Sequence, residues 1–143
     1  MGSRSATELL QLPVRLHGIR LGQPVDLLLD GTEWRALGLV VLCGDESERF
    51  LAFAAADPGE DEIAVVSALL LLEDVEFYRT RGRSLRDLLG AAAAVDGSPA
   101  GEVQDLRLTP DGTVDGLVVA GDGGPRTLAP GLVSLDAARA PAA

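Results

Sequence analysis

Residues able to do acid–base or nucleophilic chemistry are scarce in this sequence. His17 is the only histidine and Cys43 the only cysteine among 143 residues, which excludes intrachain disulfides and metal sites built from several His or Cys ligands. A Ser or Cys nucleophile would need His17 as its base, and nothing in the spacing pairs them. Gly-x-Ser-x-Gly turns, Cys-x-x-Cys pairs and phosphate-binding glycine loops are also absent from the sequence. The sequence therefore predicts a protein that is not an enzyme and that uses no cofactor or metal.

Three local features have alternative chemical interpretations. His17 precedes Gly18 and is interpreted as a turn residue. Cys43 ends the apolar run Leu39–Cys43 and is interpreted as a buried strand residue, with a reactive thiol as the alternative, because burial raises a thiol pKa. Asp57–Glu62 places four carboxylates in six residues. We interpret it as a solvated turn rather than a weak cation site, because calcium loops alternate their ligands over about 12 residues.

Trp34 and Arg35 are the best candidates for contacts with a partner. Trp34 is the only tryptophan and lies beside Arg35 at a predicted hairpin turn. Tryptophan and arginine are enriched among the residues that dominate the binding energy of protein interfaces. The alternative is that Trp34 packs over one end of the core.

Adjacent acidic and basic groups mark the middle of the chain. We expect them to form ion pairs across the junction between the two halves, although exposed pairs contribute only about 0–1 kcal/mol each. The alternative is an arginine patch for an acidic partner or RNA. The junction residues are Glu73, Asp74, Glu76, Arg79, Arg81, Arg83 and Arg86.

Short apolar strands bounded by turn residues must position these side chains. Val25–Leu29 and Arg35–Cys43 predict one hairpin, and Val103–Leu108 and Thr113–Ala120 predict a second. Asp-Gly pairs stand at the turns because glycine accepts the positive φ that a tight turn requires. Val75–Tyr78 is predicted as a closing strand of the first half, and no long amphipathic helix is present.

The two hairpins are copies of one sequence unit. Gly22 and Asp26 recur 79 residues later as Gly101 and Asp105, and Leu39–Val41 recurs 78 residues later. The change in length falls in the intervening turn, where insertions are tolerated. The repeat predicts a mainly β fold of two tandem small antiparallel β-barrel modules with short helical turns. The modules are expected at residues 8–80 and 81–136, followed by a flexible tail at 137–143.

Composition predicts a folded, acidic protein. Hydrophobic residues make up 47% and aromatic residues 3% of the chain, so Leu, Val and Ala must fill the core. The 22 acidic and 12 basic residues give a formal net charge of −10, which opposes non-specific binding to nucleic acid. All basic residues are Arg, and Lys and Asn are absent, a bias typical of a GC-rich bacterial genome such as that of an actinobacterium. The polar start Met1–Thr7 and the longest aliphatic run, Ala68–Leu72, predict no signal peptide, no membrane insertion and a cytoplasmic location.

Turn glycines, an aspartate near a strand start and apolar strand residues form a pattern in the second copy: Leu85–Gly90, Asp96-Gly97, Gly101–Leu106, Asp111–Val114 and Leu117–Val119. This pattern resembles the PRC-barrel family, which includes the cytoplasmic domain of the reaction-centre H subunit and the C-terminal domain of a ribosome maturation factor. The resemblance covers Ser84 to about Leu135 and is weaker over about Leu12 to Tyr78, where the first copy carries an insert at Glu46–Glu62. It implies a small β-barrel fold and offers no catalytic residues to transfer.

Family members act as adaptors that dock other proteins or complexes, so the resemblance implies a non-catalytic protein–protein interaction module. We expect the partner to be another protein, or a second copy paired through exposed strand edges. One alternative is a ribosome-biogenesis accessory, because a basic ribosomal protein would be steered to an acidic surface. A sensor or enzyme acting through the barrel interior is a further alternative, but small barrels fill their interior with their own side chains.

Overall fold

A computed structural model describes residues 3–135, so the tail predicted at 137–143 lies outside the described residues. The strands are β1 (Arg4–Ser5), β2 (Val14–Leu16), β3 (Ile19–Asp30), β4 (Ala36–Cys43), β5 (Glu48–Ala52), β6 (Asp57–Pro58), β7 (Ile63–Val65), β8 (Leu71–Leu72), β9 (Gly82–Ser84), β10 (Ala92–Val95), β11 (Ser98–Leu108), β12 (Val114–Gly121), β13 (Gly124–Leu128) and β14 (Val133–Leu135). The helices are α1 (Ala6–Leu9), α2 (Val75–Arg79) and α3 (Leu85–Leu88), with 3-10 turns at Phe53–Ala55, Ala68–Leu70 and Pro130–Leu132.

The strands form two sheets. The first sheet has the order β6-β7-β2-β3-β4-β5-β8, with β9 also paired to β3. The second has the order β13-β12-β11-β10-β14, with β1 also paired to β11. All pairings are antiparallel except that of β2 with β7. The prediction of a mainly β chain is confirmed. Within residues 3–135, however, the two edge strands of each sheet are not hydrogen-bonded to one another, so each sheet is open and does not close into a barrel.

The repeat is visible in the pairing registers of the two long hairpins, β3–β4 and β11–β12. The register shifts between Pro24 and Asp26 in β3 and between Val103 and Asp105 in β11. A second shift follows in both strands, between the second and third residues after the aspartate. Bulges bend a strand and re-aim its side chains. The two copies therefore share their irregular positions as well as their strand pattern.

Tight two-residue turns lead into both long strands. His17 and Gly18 have φ values of 49° and 83°, and Asp96 and Gly97 have φ values of 52° and 80°. Positive φ at both central residues is the signature of a type I′ turn, whose twist matches that of the flanking strands. His17 is therefore a turn residue, as predicted.

Each copy donates its first strand and helix to the sheet of the other copy. β9, which directly precedes α3, pairs with β3 in the first sheet, whereas β1, which directly precedes α1, pairs with β11 in the second. The Ser84 hydroxyl donates to the Asp26 carboxylate, and the Ser5 hydroxyl donates to the Asp105 carboxylate. The two serines are 79 residues apart in the sequence, and so are the two aspartates, so the two hydrogen bonds are equivalent and the exchange is reciprocal.

The same two aspartates hold the first turn of each donated helix. The amide of Arg86 donates to Asp26 Oδ1 at 3.2 Å, and the amide of Thr7 donates to Asp105 Oδ1 at 3.0 Å. Ser84 is also the N-cap of α3, as its position before an apolar pair predicts. Because helices of four residues are unstable alone, these contacts are needed to fix them.

The two long hairpins also touch directly. The amide of Ala36 donates to the carbonyl of Gly112 at 2.8 Å, and the amide of Val114 donates to the carbonyl of Trp34 at 2.9 Å. The two bonds interchange under the 78-residue spacing of the return strands. A local two-fold axis therefore passes between the hairpins.

One hydrophobic core is shared by both sheets. A single cluster of buried side chains includes residues from both copies. Its fully buried leucines include Leu27, Leu29 and Leu39 of the first sheet and their counterparts Leu106, Leu108 and Leu117 of the second.

The outer face of the first sheet is apolar and covered. Leu28, Val40 and Phe50 form a second buried cluster there, and Val75 and Tyr78 of α2 pack over it. The Tyr78 and Phe50 rings are stacked, with centroids 3.8 Å apart. α2 therefore covers the second buried cluster on this face.

The outer face of the second sheet is polar. Arg107 stands at the position that corresponds to Leu28, and Thr127 at the position that corresponds to Phe50. Among the described residues of the second copy, α2 has no counterpart. The two copies therefore have matching core-facing leucines but different residues on the outer faces of their sheets.

One predicted strand is a helix. Val75–Tyr78 was expected to close the first half as a strand, but it forms most of α2. The Asp74 carboxylate accepts the amide of Phe77 at 3.2 Å, so a helix N-cap outweighs the β preference of Val, Phe and Tyr.

Candidate protein-docking surface

Trp34 lies in the turn between β3 and β4, where Asp30 organises the backbone. The amides of Thr32 and Glu33 donate to Asp30 Oδ1 at 2.8 and 2.9 Å, and these hydrogen bonds lower the pKa of Asp30. Trp34 is half-buried and packs against the edge of the shared core, whereas Arg35 is exposed. The position of the indole is therefore compatible with both interpretations of the sequence, a residue that packs over one end of the core and a residue that is accessible to a partner.

Arg83 of β9 covers the exposed part of the indole. Its guanidinium carbon lies 4.4 Å from the centre of the Trp34 ring, and its Nε donates to the carbonyl of Asp30 at 3.3 Å. Such cation–π contacts contribute about 0.5–1 kcal/mol at exposed sites. The exchange of β9 into the first sheet brings these two residues together, since Arg83 pairs with Leu29 next to the turn.

A second aromatic–arginine pair lies just before Arg83 in the chain. The Arg81 guanidinium carbon lies 3.6 Å from the centre of the Phe77 ring, and Arg81 Nη1 donates to the Phe77 carbonyl at 3.1 Å. Phe77 is 43% exposed even with Arg81 over it. Tyr78, by contrast, faces inward onto Phe50. We call Trp34, Arg35, Phe77, Arg81 and Arg83 the aromatic–arginine surface.

The acidic members of the predicted junction group make local contacts within the first copy. Arg79 forms ion pairs of 2.7 Å with both Glu76 and Glu48, and these hydrogen bonds raise the pKa of its guanidinium. Glu73 lies 3.6 Å from Arg49. Asp74 acts as the N-cap of α2 instead of pairing with an arginine.

The remaining junction arginines bind aromatic rings or backbone carbonyls. Arg81 and Arg83 cover rings, as described, and the Nε of Arg86 donates to the carbonyl of Val25. Between residues 3 and 135, none of these three arginines lies within ion-pair distance of a carboxylate. Among the described junction residues, the ion pair between Glu76 and Arg79 is the one that joins an acidic member of the predicted group to a basic member.

Sequence reasoning missed Phe77 because it assigned this residue to a strand. A helix signal was nevertheless present: Asp74 stands at an N-cap position, Glu76 in the first turn and Arg79 in the last turn. These charges match the helix dipole. The pairing of Arg83 with Trp34 left no local signal, because 49 residues separate them.

The other chemical candidates lie away from this surface. Cys43 is half-buried, and burial raises the pKa of its thiol. Glu62, in the acidic turn, lies 3.3 Å from Arg15. Within the described part of the chain, no three His, Cys, Asp or Glu side chains are grouped closely enough to hold a metal ion.

None of the helices between residues 3 and 135 has both the length and the apolar character needed to cross a membrane. Every buried side-chain nitrogen or oxygen in the same region has a hydrogen-bond partner. The chain matches no protein-family model and no curated protein sequence.

Proposed function

We propose that this chain is a non-catalytic protein–protein interaction module and that a partner protein docks on the aromatic–arginine surface. The observation that carries this proposal is the pair of aromatic rings, half-buried Trp34 and exposed Phe77, each with an arginine guanidinium over it. Interfaces are enriched in aromatic residues and arginine, and their most important contacts cluster. The five residues include two of the chain's five aromatic residues and three of its twelve arginines, and the pairing of β9 with β3 brings their two segments together.

We also propose that the two copies are PRC-barrel-like modules in a cytoplasmic protein, the first at residues 8–80 together with β1 and the start of α1, and the second at residues 81–136. The shared bulges and matching hairpins of the two copies support a common ancestral unit. The resemblance of Ser84 to about Leu135 to that family supports an adaptor role, because its members dock other proteins. The aromatic–arginine surface is where we propose that the partner docks.

The proposal is tested by site-specific photo-cross-linking in the native cell. Arg35 is replaced by a photo-cross-linking amino acid, and Arg126, which is exposed on β13 in the second sheet, is replaced in a control chain. We expect position 35 to capture a defined protein that position 126 does not capture. Adding Arg81→Glu to the position-35 chain should abolish the cross-link, because it reverses the charge that lies over the Phe77 ring.

Two outcomes would contradict the proposal. One is the same set of cross-linked proteins from both positions. The other is recovery of basic ribosomal proteins in amounts that Arg81→Glu does not change, which would favour the ribosome-biogenesis alternative. Nuclease treatment before purification separates direct protein contacts from contacts through RNA.

A further inference from the structure

A groove of about 550 Å³ lies beside the aromatic–arginine surface, between β9 and the start of α3. Arg79, Arg83 and Arg86 line it together with Asp26 and Asp87. Arg83 belongs to both features, since its guanidinium also covers Trp34. We call this feature the arginine groove.

The groove concentrates positive charge in an acidic protein. Its lining carries three arginines, Arg79, Arg83 and Arg86, against two aspartates, Asp26 and Asp87, although the chain as a whole carries a formal charge of −10. Asp26 offsets little of this charge at the surface. Its carboxylate is buried and already accepts hydrogen bonds from Ser84 and from two backbone amides.

Arg83 and Arg86 are held in place without being neutralised. The Nε of Arg83 donates to the carbonyl of Asp30, and the Nε of Arg86 donates to the carbonyl of Val25. A guanidinium has five N–H donors, so one hydrogen bond leaves most of the group able to bind another acceptor. Within residues 3–135 neither arginine has an ion-paired carboxylate, in contrast to Arg79.

The second copy does not contain the same arrangement. Arg4 corresponds to Arg83, but Thr7 stands at the position of Arg86. The terminal nitrogen of Arg4 donates to the carbonyl of Gly59 at 2.7 Å. The pair of anchored arginines is therefore particular to the first copy and is no general consequence of the repeat.

We propose that the arginine groove binds the carboxylate side chains of an acidic segment of the partner protein. This inference rests on the proposed function and names the chemistry of the partner. Guanidinium groups bind carboxylates through two parallel hydrogen bonds, and arginines fixed beforehand lose less entropy on binding. A long polyanion such as nucleic acid is disfavoured, because the acidic remainder of the protein repels it.

The test measures binding of an acetylated hexaglutamate peptide to the full chain by calorimetry and by the fluorescence of Trp34, the only tryptophan. Arg86→Gln should weaken binding at least about tenfold, because a charge-assisted hydrogen bond is lost. Arg86→Lys should restore part of the affinity, since it keeps the charge but not the planar fork. Arg126→Gln, an exposed arginine of the other sheet, should leave binding unchanged.

Three results would overturn the inference: no binding of hexaglutamate at about 50 mM salt, equal weakening by Arg86→Gln and Arg126→Gln, or tighter binding of a single-stranded oligonucleotide of equal charge. Melting curves of each variant verify that it is folded. If hexaglutamate fails to bind while Arg81→Glu still abolishes the cross-link at position 35, the groove inference is wrong and the proposed function stands.

Discussion

At the scale of single residues, type and place in the fold together decide what a side chain does. Trp34 was identifiable from the sequence because tryptophan is rare and favoured at interfaces. Arg83 was assigned to a charged junction, yet it lies over the Trp34 ring at 4.4 Å. Nothing local encodes this contact, since it requires β9 to lie beside β3. The chemistry of one residue was predictable, and its partner was not.

Asp111 gives a residue-scale prediction about pH. The Thr109 hydroxyl and the Thr113 amide donate to its carboxylate, and they lower the pKa of Asp111 from 3.8 to about 2. A carboxyl group whose pKa is lower in the folded state than in the unfolded state stabilises the protein at pH values above the unfolded-state pKa. This contribution is lost as the pH falls through the folded-state pKa. The difference in unfolding free energy between the wild type and Asp111→Ala should therefore shrink as pH falls from 4 towards 2.

Denaturant titrations at several pH values measure this difference, and carbon NMR of the carboxyl group reports its pKa directly. Titration of Asp111 near the ordinary value of 3.8 would contradict the prediction. Such a result would mean that the turn hydrogen bonds do not favour the charged form.

Gly38 gives a second residue-scale prediction. A Cβ atom there would clash with the backbone carbonyl oxygen of Leu51 and lie 2.5 Å from Cζ of Phe50, whereas a Cβ on Gly44 would meet nothing within 4 Å. Gly38→Ala should destabilise the protein by about 1–3 kcal/mol through overpacking. Gly44→Ala should change stability by less than about 0.5 kcal/mol. Denaturant unfolding of both variants tests this, and equal effects would show that the β5 backbone at Leu51 and the Phe50 ring both move aside freely.

At the scale of elements, local signals predicted the hairpins and long-range contacts decided the rest. Asp-Gly turns and apolar runs predicted the hairpins β3–β4 and β11–β12 close to their turns, because strand and turn preferences act over a few residues, but they missed the first six residues of β3 and the first five of β11. The exchange of β1 and β9 could not be deduced. The repeat shows that β1 and β9 are equivalent. It does not show whether each of them pairs with the sheet of its own copy or with the sheet of the other copy.

The hydrogen bonds from Ser84 to Asp26 and from Ser5 to Asp105 predict equal effects in the two copies. Ser84→Ala and Ser5→Ala should each cost about 1–2 kcal/mol, because each removes a helix cap and one partner of a carboxylate. The exposed Ser98 at the start of β11 provides the control, and Ser98→Ala should have little effect. Denaturant unfolding measures all three variants. A large difference between the two serines would mean that the exchanged segments do not play equivalent structural roles.

At the scale of the whole molecule, the shared core and the reciprocal exchange make each half depend on the other. Fragments 1–80 and 81–143 each lack the strand and helix that complete their sheet, and each exposes its side of the core. We expect both fragments to be unfolded alone and to regain strand structure when mixed. Circular dichroism and amide NMR spectra before and after mixing test this. A stable, well-dispersed spectrum from either fragment alone would show that one copy folds independently.

The difference between the inner and outer surfaces also sets how many partners one chain can hold. The inner contacts obey a local two-fold axis, but Gly112 occupies the position equivalent to Trp34, and Thr7 that of Arg86. The proposed docking features therefore occur once among the described residues, so the proposed function predicts a one-to-one complex. Such a chain would bind one partner molecule at a time. Linking two partner molecules into a larger assembly would require a second copy of the chain.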